Sequence, residues 1–251
     1  MPPIDASADA GPVPVHSGCS GPGGDSEDTL DLRLPDEFLA LVAGEAVDSP
    51  VPADGRFTAA DDDLLDHVGD WGPLVTPVGP FQLVPVRLDR DLPLIGGWMN
   101  DPAVAAFWEL AGSPAQTEDH LRSQLTGDGR SVPCVGVLDG TPMSYWEIYR
   151  ADLDPLARHY PARPHDTGLH LLIGGVADRG RGLGSALLRA VADLVLDRRP
   201  ACARVIAEPD LRNTPSVAAF LSAGFRFAAE VDLPAKRAAL MIRDRSLRHL
   251  L

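Results

Sequence analysis

The chain has 251 residues, 45% of them hydrophobic, and a formal net charge of −14. That length and apolar content suit one sizeable domain with an extension, and the acidic balance excludes a general nucleic-acid-binding surface. Three scattered cysteines, Cys19, Cys134 and Cys202, form neither a disulfide framework nor a CxxC metal site, and no apolar run is long enough to span a membrane.

Taken in order, residues 1–30 are rich in Gly, Pro, Ser, Ala and Asp and contain no Lys or Arg. Such a tail cannot bury enough apolar surface to offset its ordering entropy, so it is expected to be disordered. It lacks a basic stretch followed by an apolar block. With no secretory pattern and an odd number of thiols, a cytoplasmic protein is expected. Residues 31–80 read as an N-terminal extension with short helices at Leu34–Val42 and Asp61–Val68. From Phe81 the pattern becomes regular. A strand at Phe81–Leu88 precedes short helices at Asp91–Gly96 and Pro102–Ala111, the latter capped by Asn100 or Asp101 ahead of Pro102. A helix at Thr117–Leu125 leads to a hairpin, Val132–Leu138 and Met143–Tyr149, turned by Asp139-Gly140. Gly168–Gly174 is a strand, Leu183–Leu196 an apolar helix and Ala203–Ala207 a short buried strand. Thr214–Ala223 is a helix stopped by Gly224. Phe225–Leu233 and Ala238–Ile242 close the domain, 81–251. The order predicts an α/β architecture, a central mixed sheet flanked by helices.

The segment between Gly174 and Ala186 carries the most chemistry. Glycines at 180, 182 and 184 join a strand to a helix start. Unpaired N–H groups and the positive end of the helix dipole then point at one place, which favours a phosphate. Arg179 and Arg181 add cationic charge beside it.

That element order, with Arg179-Gly180-Arg181-Gly182-Leu183-Gly184, resembles the GNAT acyltransferase superfamily. Its glycine-rich loop is matched in register at Arg179, Gly182 and Gly184. A second block runs from Asn213 through Ser216 and Phe220 to Gly224-Phe225. The resemblance covers roughly residues 81–245. It implies the GNAT fold and binding of acetyl-CoA or another acyl-CoA, with no metal. In that reading, residues Gly180, Arg181, Gly182, Leu183, Gly184 and Ser185 hold the diphosphate, with Arg179 beside them. The pantetheine arm runs along Leu171, Leu172 and Ile173, and Asn213 and Phe220 flank it. Further blocks resemble the acyltransferases of hydroxamate siderophore biosynthesis. They are Trp98-Met99-Asn100-Asp101-Pro102, Phe107-Trp108, Tyr145–Tyr149, His170–Gly174, Glu208-Pro209-Asp210 with Arg212-Asn213, and Leu233-Pro234 with Lys236-Arg237-Ala238. The resemblance implies acylation, acetylation by default, of the side-chain nitrogen of lysine, N-hydroxylysine or a related diamine. It also implies a functional link to an amine N-hydroxylase and a siderophore synthetase. Two rival readings are an aminoglycoside-type acetyltransferase and a non-catalytic acyl-CoA-binding module.

Acyl transfer from a thioester needs a neutral nitrogen, a stabilised oxyanion and a way for the thiolate to leave. His170 is the first candidate for the base, since its ordinary pKa near 6.5 suits that work. Asp210 is the second, either orienting His170 or taking the proton itself; Asp166 is a third. The oxyanion donor is a main-chain N–H within 171–173. Phe220 stands where many GNAT enzymes carry a tyrosine acid, and so cannot protonate the thiolate. For the acceptor, Trp108, Tyr145, Glu147 and Tyr149 line a pocket. Glu147 then meets an α-amino group, Asn100 a carboxylate, and Lys236, the only lysine in the chain, a carboxylate of substrate or acyl group.

Overall fold

The computed structural model describes Leu65 and residues 67–249. The acidic tail and the Leu34–Val42 helix lie outside the described residues. Of the Asp61–Val68 helix only the end is described, where Val68–Asp70 is a 3₁₀ turn.

Eight strands form one sheet: β1 Leu74–Thr76, β2 Gly79–Pro85, β3 Ser131–Leu138, β4 Thr141–Arg150, β5 Thr167–Ile173, β6 Arg204–Ala207, β7 Arg226–Asp232 and β8 Arg237–Asp244. Their spatial order is β1-β2-β3-β4-β5-β6-β8-β7. Every neighbouring pair is antiparallel except β5 and β6. Five helices flank the sheet: α1 Leu88–Met99, α2 Pro102–Trp108, α3 Pro114–Leu125, α4 Leu183–Arg198 and α5 Thr214–Ser222.

Local chemistry explains most boundaries. Asp139 and Gly140 both adopt positive φ, 49° and 77°, which is the two-residue turn that matches the twist of the β3–β4 hairpin. Asp101 caps α2 by accepting from Ala103 N, ahead of Pro102. The third helix starts earlier than Thr117, because Ser113 and Gln116 form a reciprocal capping box around Pro114. The first helix is twice the expected length despite Pro93, Gly96 and Gly97. Ile95 and Met99 are fully buried along it, so packing overrides weak local propensity.

Alternation along β4 sends Trp146 and Ile148 to one face and Tyr145, Glu147 and Tyr149 to the other. The first face packs against Leu187, Leu188, Val191 and Val195 of α4 in the main core. On the second face Tyr145 joins Ile95, Met99 and Leu121 from α1 and α3. Leu65, Val68 and Trp71 belong to the main core too, and β1 adds a strand before Phe81. The folded unit therefore begins upstream of Phe81.

One irregularity positions the site. The parallel pair β5–β6 holds register only at Thr167↔Val205 and Gly168↔Ile206. Beyond Gly168 the two strands diverge, and β5 keeps only its β4 neighbour. Gly174 N donates to Met143 O. Amides alternate along a strand, so the N–H groups of Leu171 and Ile173 face the open edge, while that of Leu172 faces β4.

Candidate active site

The splayed strand brings His170 to the centre of a charged cluster. Glu147 is its cross-strand partner in the β4–β5 register. His170 Nδ1 lies 2.7 Å from Glu147 Oε2 and His170 Nε2 lies 2.5 Å from Glu208 Oε1. Glu208 follows directly on β6, across the splay. With an acceptor on both ring nitrogens, the imidazole donates twice and is held as a cation. Burial alone would lower its pKa, but the charge of Glu208 and the hydrogen bonds to both carboxylates outweigh that and push it up to about 10. Burial likewise pushes Glu208 upward, yet the facing His170 cation holds it well below the usual carboxylate range, near 2.

Each carboxylate has a second set of partners. Glu147 Oε1 accepts from the Tyr145 hydroxyl at 2.9 Å and from Gln124 Nε2 at 2.8 Å, and His120 Nε2 stands 2.5 Å away. Burial opposes ionisation of Glu147, but the hydrogen bonds from His120 and His170 keep its pKa low. Glu208 Oε2 accepts from the Tyr149 hydroxyl at 2.7 Å, and Lys236 Nζ is 3.4 Å from its other oxygen. The Tyr149 ring lies flat over Gly168, where any β-carbon would overlap it. A cavity of about 330 Å³ opens over His170, walled by Trp108, Glu147, Glu208, Asn213, Phe220 and Lys236, among others.

Three residues beyond His170 the strand ends, and the glycine loop begins. Gly180 and Gly182 take φ of +72° and +77°, and Gly182 is the N-cap of α4. The first helical bond runs from Ala186 N to Gly182 O. Among the described residues, the main-chain N–H groups of 180–185 find no acceptor. Six consecutive donors at a helix start make a cradle for a phosphate.

A family model described as an acetyltransferase (GNAT) domain matches residues 87–233, more than half of the chain. The chain belongs to the GNAT acyltransferases. Its relatives include the lysine N-acyltransferase MbtK of Mycolicibacterium paratuberculosis, 39% identical over 165 residues that span 66% of this chain and 74% of that protein. The lysine N-acyltransferase MbtK of Mycobacterium tuberculosis is 34% identical over 200 residues, 79% of this chain and 92% of the relative. An Escherichia coli protein named N(6)-hydroxylysine O-acetyltransferase is 38% identical over 148 residues, covering 59% of this chain and 47% of its own length. Among solved structures, an uncharacterized protein from Bacillus halodurans shares 32% identity with a TM-score of 0.67, over 71% of this chain and 92% of that one. The aminoglycoside acetyltransferase AAC(6')-Ib, at 24% identity and a TM-score of 0.60 over 66% of this chain and 95% of its own, shares the fold. This chain is an N-acyltransferase of that family.

The structure of this acyltransferase brings together many of the residues singled out by sequence, and separates others. His170, Trp108, Glu147, Asn213, Phe220 and Lys236 share the cavity wall. Trp108 meets both Tyr145 and His170 edge-on, with ring centroids 5.5 and 6.0 Å apart. Asn213 caps α5 by accepting from Ser216 N, and Phe220 packs edge-on against Phe225. Tyr145 and Tyr149 are buried behind the two carboxylates rather than lining this cavity. Asp210 does not orient His170. It lines the same cavity, but its carboxylate accepts from the Arg212 guanidinium and Arg212 N. Asp166 is buried beneath Arg204 and Tyr160. Asn100 spends both ends of its amide on main chain, donating to Gly96 O and accepting from Gly112 N. Arg179 is no mobile phosphate ligand either: its guanidinium caps the carbonyls of Ile173 and Gly174 and pairs with Asp101. Arg181 stays largely exposed, 3.7 Å from Asp178. Ser185 Oγ donates to Gly182 O and tightens the first turn. Leu171, Ile173 and Leu183 pack on the main core while Leu172 faces the other side, and Gly184 lies close over Ile173.

Two residues of this charged cluster escaped the sequence reading. Glu208 stood in a quoted block but gave way to Asp210, since period-two alternation gives both equal claims. His120 carried one faint signal, its i,i+4 spacing to Gln124 on a single face of α3.

Proposed function

We propose that the chain transfers an acyl group, acetyl by default, from acyl-CoA to the side-chain nitrogen of lysine, N6-hydroxylysine or a related diamine, as a step in hydroxamate siderophore assembly. The observation that carries this reading is the His170 imidazolium clamped between Glu147 and Glu208 at the splay of β5 and β6. The printed names of the relatives support the acceptor class. The free amides of 180–185 support the donor, because they suit a diphosphate.

Each residue then has a task. The amides of 180–185 hold the diphosphate. The open edge of β5 pairs with the pantetheine arm, and the Leu171 N–H donates to the thioester oxygen as it gains charge. Asn213 and Phe220 close the other side. A clamped imidazolium is an acid, so the proton acceptor is Glu208. A weak base suffices, because the attacking nitrogen becomes strongly acidic once bonded to the carbonyl carbon. Glu208 takes that proton as the C–N bond forms. His170 gives its Nε2 proton to the sulfur as the C–S bond breaks, and Glu208 returns a proton to His170. The net change is one proton moved from nitrogen to sulfur, and the pair is restored. This replaces the neutral-base role first expected of His170. The same reading links the chain functionally to an amine N-hydroxylase and a siderophore synthetase.

The test is a direct assay. Acetyl-CoA should be consumed with N6-hydroxylysine or lysine, and Glu208→Gln and His170→Ala should each lower kcat roughly 10²- to 10⁴-fold while CoA affinity is retained. Asp210→Asn should cost far less. Turnover of kanamycin-like amines, with none of lysine or its hydroxylated form, would reject the proposal.

A further inference from the structure

His170 and Glu147 wall a second cavity of about 290 Å³, on the side away from α5. It lies at the open end of the β3–β4 hairpin, under Gln124 of α3. The proposed path for the acyl donor, the open edge of β5 with Asn213 and Phe220, belongs to the first cavity. A two-substrate transfer needs the reacting centre to be reachable from two sides, and these two side chains are the only members common to both walls. The second cavity is small for a ligand site, whose usual range is roughly 300–1,000 Å³. It suits a single amino acid better than an oligosaccharide.

Its charges are arranged in opposition. Asp154 caps the 3₁₀ turn Pro155–Arg158, accepting from Leu156 N on Oδ1. Among the described residues the Asp154 carboxylate has no ion pair. Burial, with Glu208 and Glu147 nearby, pushes its pKa up, so a cation arriving there is favoured. Arg130 stands immediately before β3, fixed by Arg150 N donating to its carbonyl. Its Nε pairs with Asp128 at 2.7 Å, and among the described residues the guanidinium has no second acidic partner. Arg150, the other guanidinium here, is engaged by Asp152. The cavity thus offers a carboxylate without an ion pair and a half-exposed guanidinium held through Nε by Asp128, with Tyr149 and His170 beyond them.

We infer that this second cavity is the acceptor's chamber: Asp154 receives the α-ammonium of a lysine-type amino acid, Arg130 receives its α-carboxylate, and the methylene chain runs past Tyr149 to present its terminal nitrogen at His170. The assignment rests on the acyl-transfer reading above and moves head-group recognition from Glu147, Asn100 and Lys236 to Asp154 and Arg130.

The test compares lysine or N6-hydroxylysine with cadaverine, which keeps the terminal amine but lacks the carboxylate. Steady-state KM is measured for both, at saturating acetyl-CoA, in wild type, Arg130→Met and Asp154→Asn. The Asn variant keeps the cap on the 3₁₀ turn, so it guards against simple unfolding. In Arg130→Met the ratio of KM for lysine to KM for cadaverine should rise roughly 10- to 100-fold, the cost of losing a charge-assisted pair. Arg130→Lys should recover part of it, and Asp154→Asn should raise KM for lysine while KM for acetyl-CoA holds. Wild type that acylates lysine, with an unchanged ratio in Arg130→Met, overturns the chamber and leaves the acyl-transfer reading standing. Wild type that acylates cadaverine but neither lysine nor its hydroxylated form overturns the chamber alone, and wild type that acylates none of the three but some other amine overturns both.

Discussion

His170 illustrates how a residue's role depends on its neighbours more than on its type. An imidazole with one acceptor is a tunable base; Glu147 and Glu208 on its two nitrogens favour the cation. The linkage has a definite sign. The folded-state pKa is raised above the ordinary 6.5 to about 10, so the stabilisation from the charged ring is complete below about pH 6.5 and disappears as pH climbs through about 10. The carboxylate side runs oppositely. Glu208 is lowered from 4.5 to about 2, so its contribution is present above about pH 4.5 and fades as pH falls through about 2. Thermal melts of wild type and His170→Gln should therefore differ most near pH 6 and converge towards pH 10. A constant offset across that range would mean that the ring titrates alike in the folded and unfolded chain.

At the scale of elements, the glycine loop combines backbone freedom with an exposed helix start. A β-carbon on Gly182 would meet no atom within 4 Å, so crowding inside the protein does not explain the glycine. Its φ of +77° does: an L side chain there costs about 1–2 kcal/mol, and on the proposed donor site it would stand over the amides offered to the diphosphate. Gly182→Val should thus lose CoA affinity in calorimetry by at least about tenfold, with a modest stability loss of about 1–2 kcal/mol in urea melts. Normal affinity in a folded Gly182→Val protein would place the diphosphate elsewhere. Gly168 answers to a different constraint, since the Tyr149 ring occupies the space over it and so reaches Glu208.

For the whole molecule, the core decides where the folded unit starts. Leu65, Val68 and Trp71 are at most 7% exposed and lie in the main core, and Arg198 donates to Trp71 O. Each large buried side chain is worth about 1.5–3 kcal/mol, comparable in sum to the whole stability of a domain. A chain starting at Phe81 should melt far lower than one starting at Asp61, or fail to fold. Equal melting temperatures for the two would show that residues 65–80 are dispensable. No helix among the described residues is long and apolar enough to cross a membrane.

Short-range rules made much of this protein legible in one dimension. The Asp139-Gly140 hairpin, a cap just ahead of Pro102, the glycine-rich helix start and the alternation of β4 all follow from a few adjacent residues. The length of α1, the three-residue β1 and the start of the core did not, because long-range burial outweighed weak local preferences there. The identity of the groups around His170 was likewise a tertiary matter. Glu147 and Glu208 lie 23 and 38 residues away in the chain, and His120 reaches Glu147 from a separate helix. Spacing along the chain carries no record of such distances; only the pairing of β4 with β5, and the parting of β5 from β6, brings two carboxylates onto one imidazole.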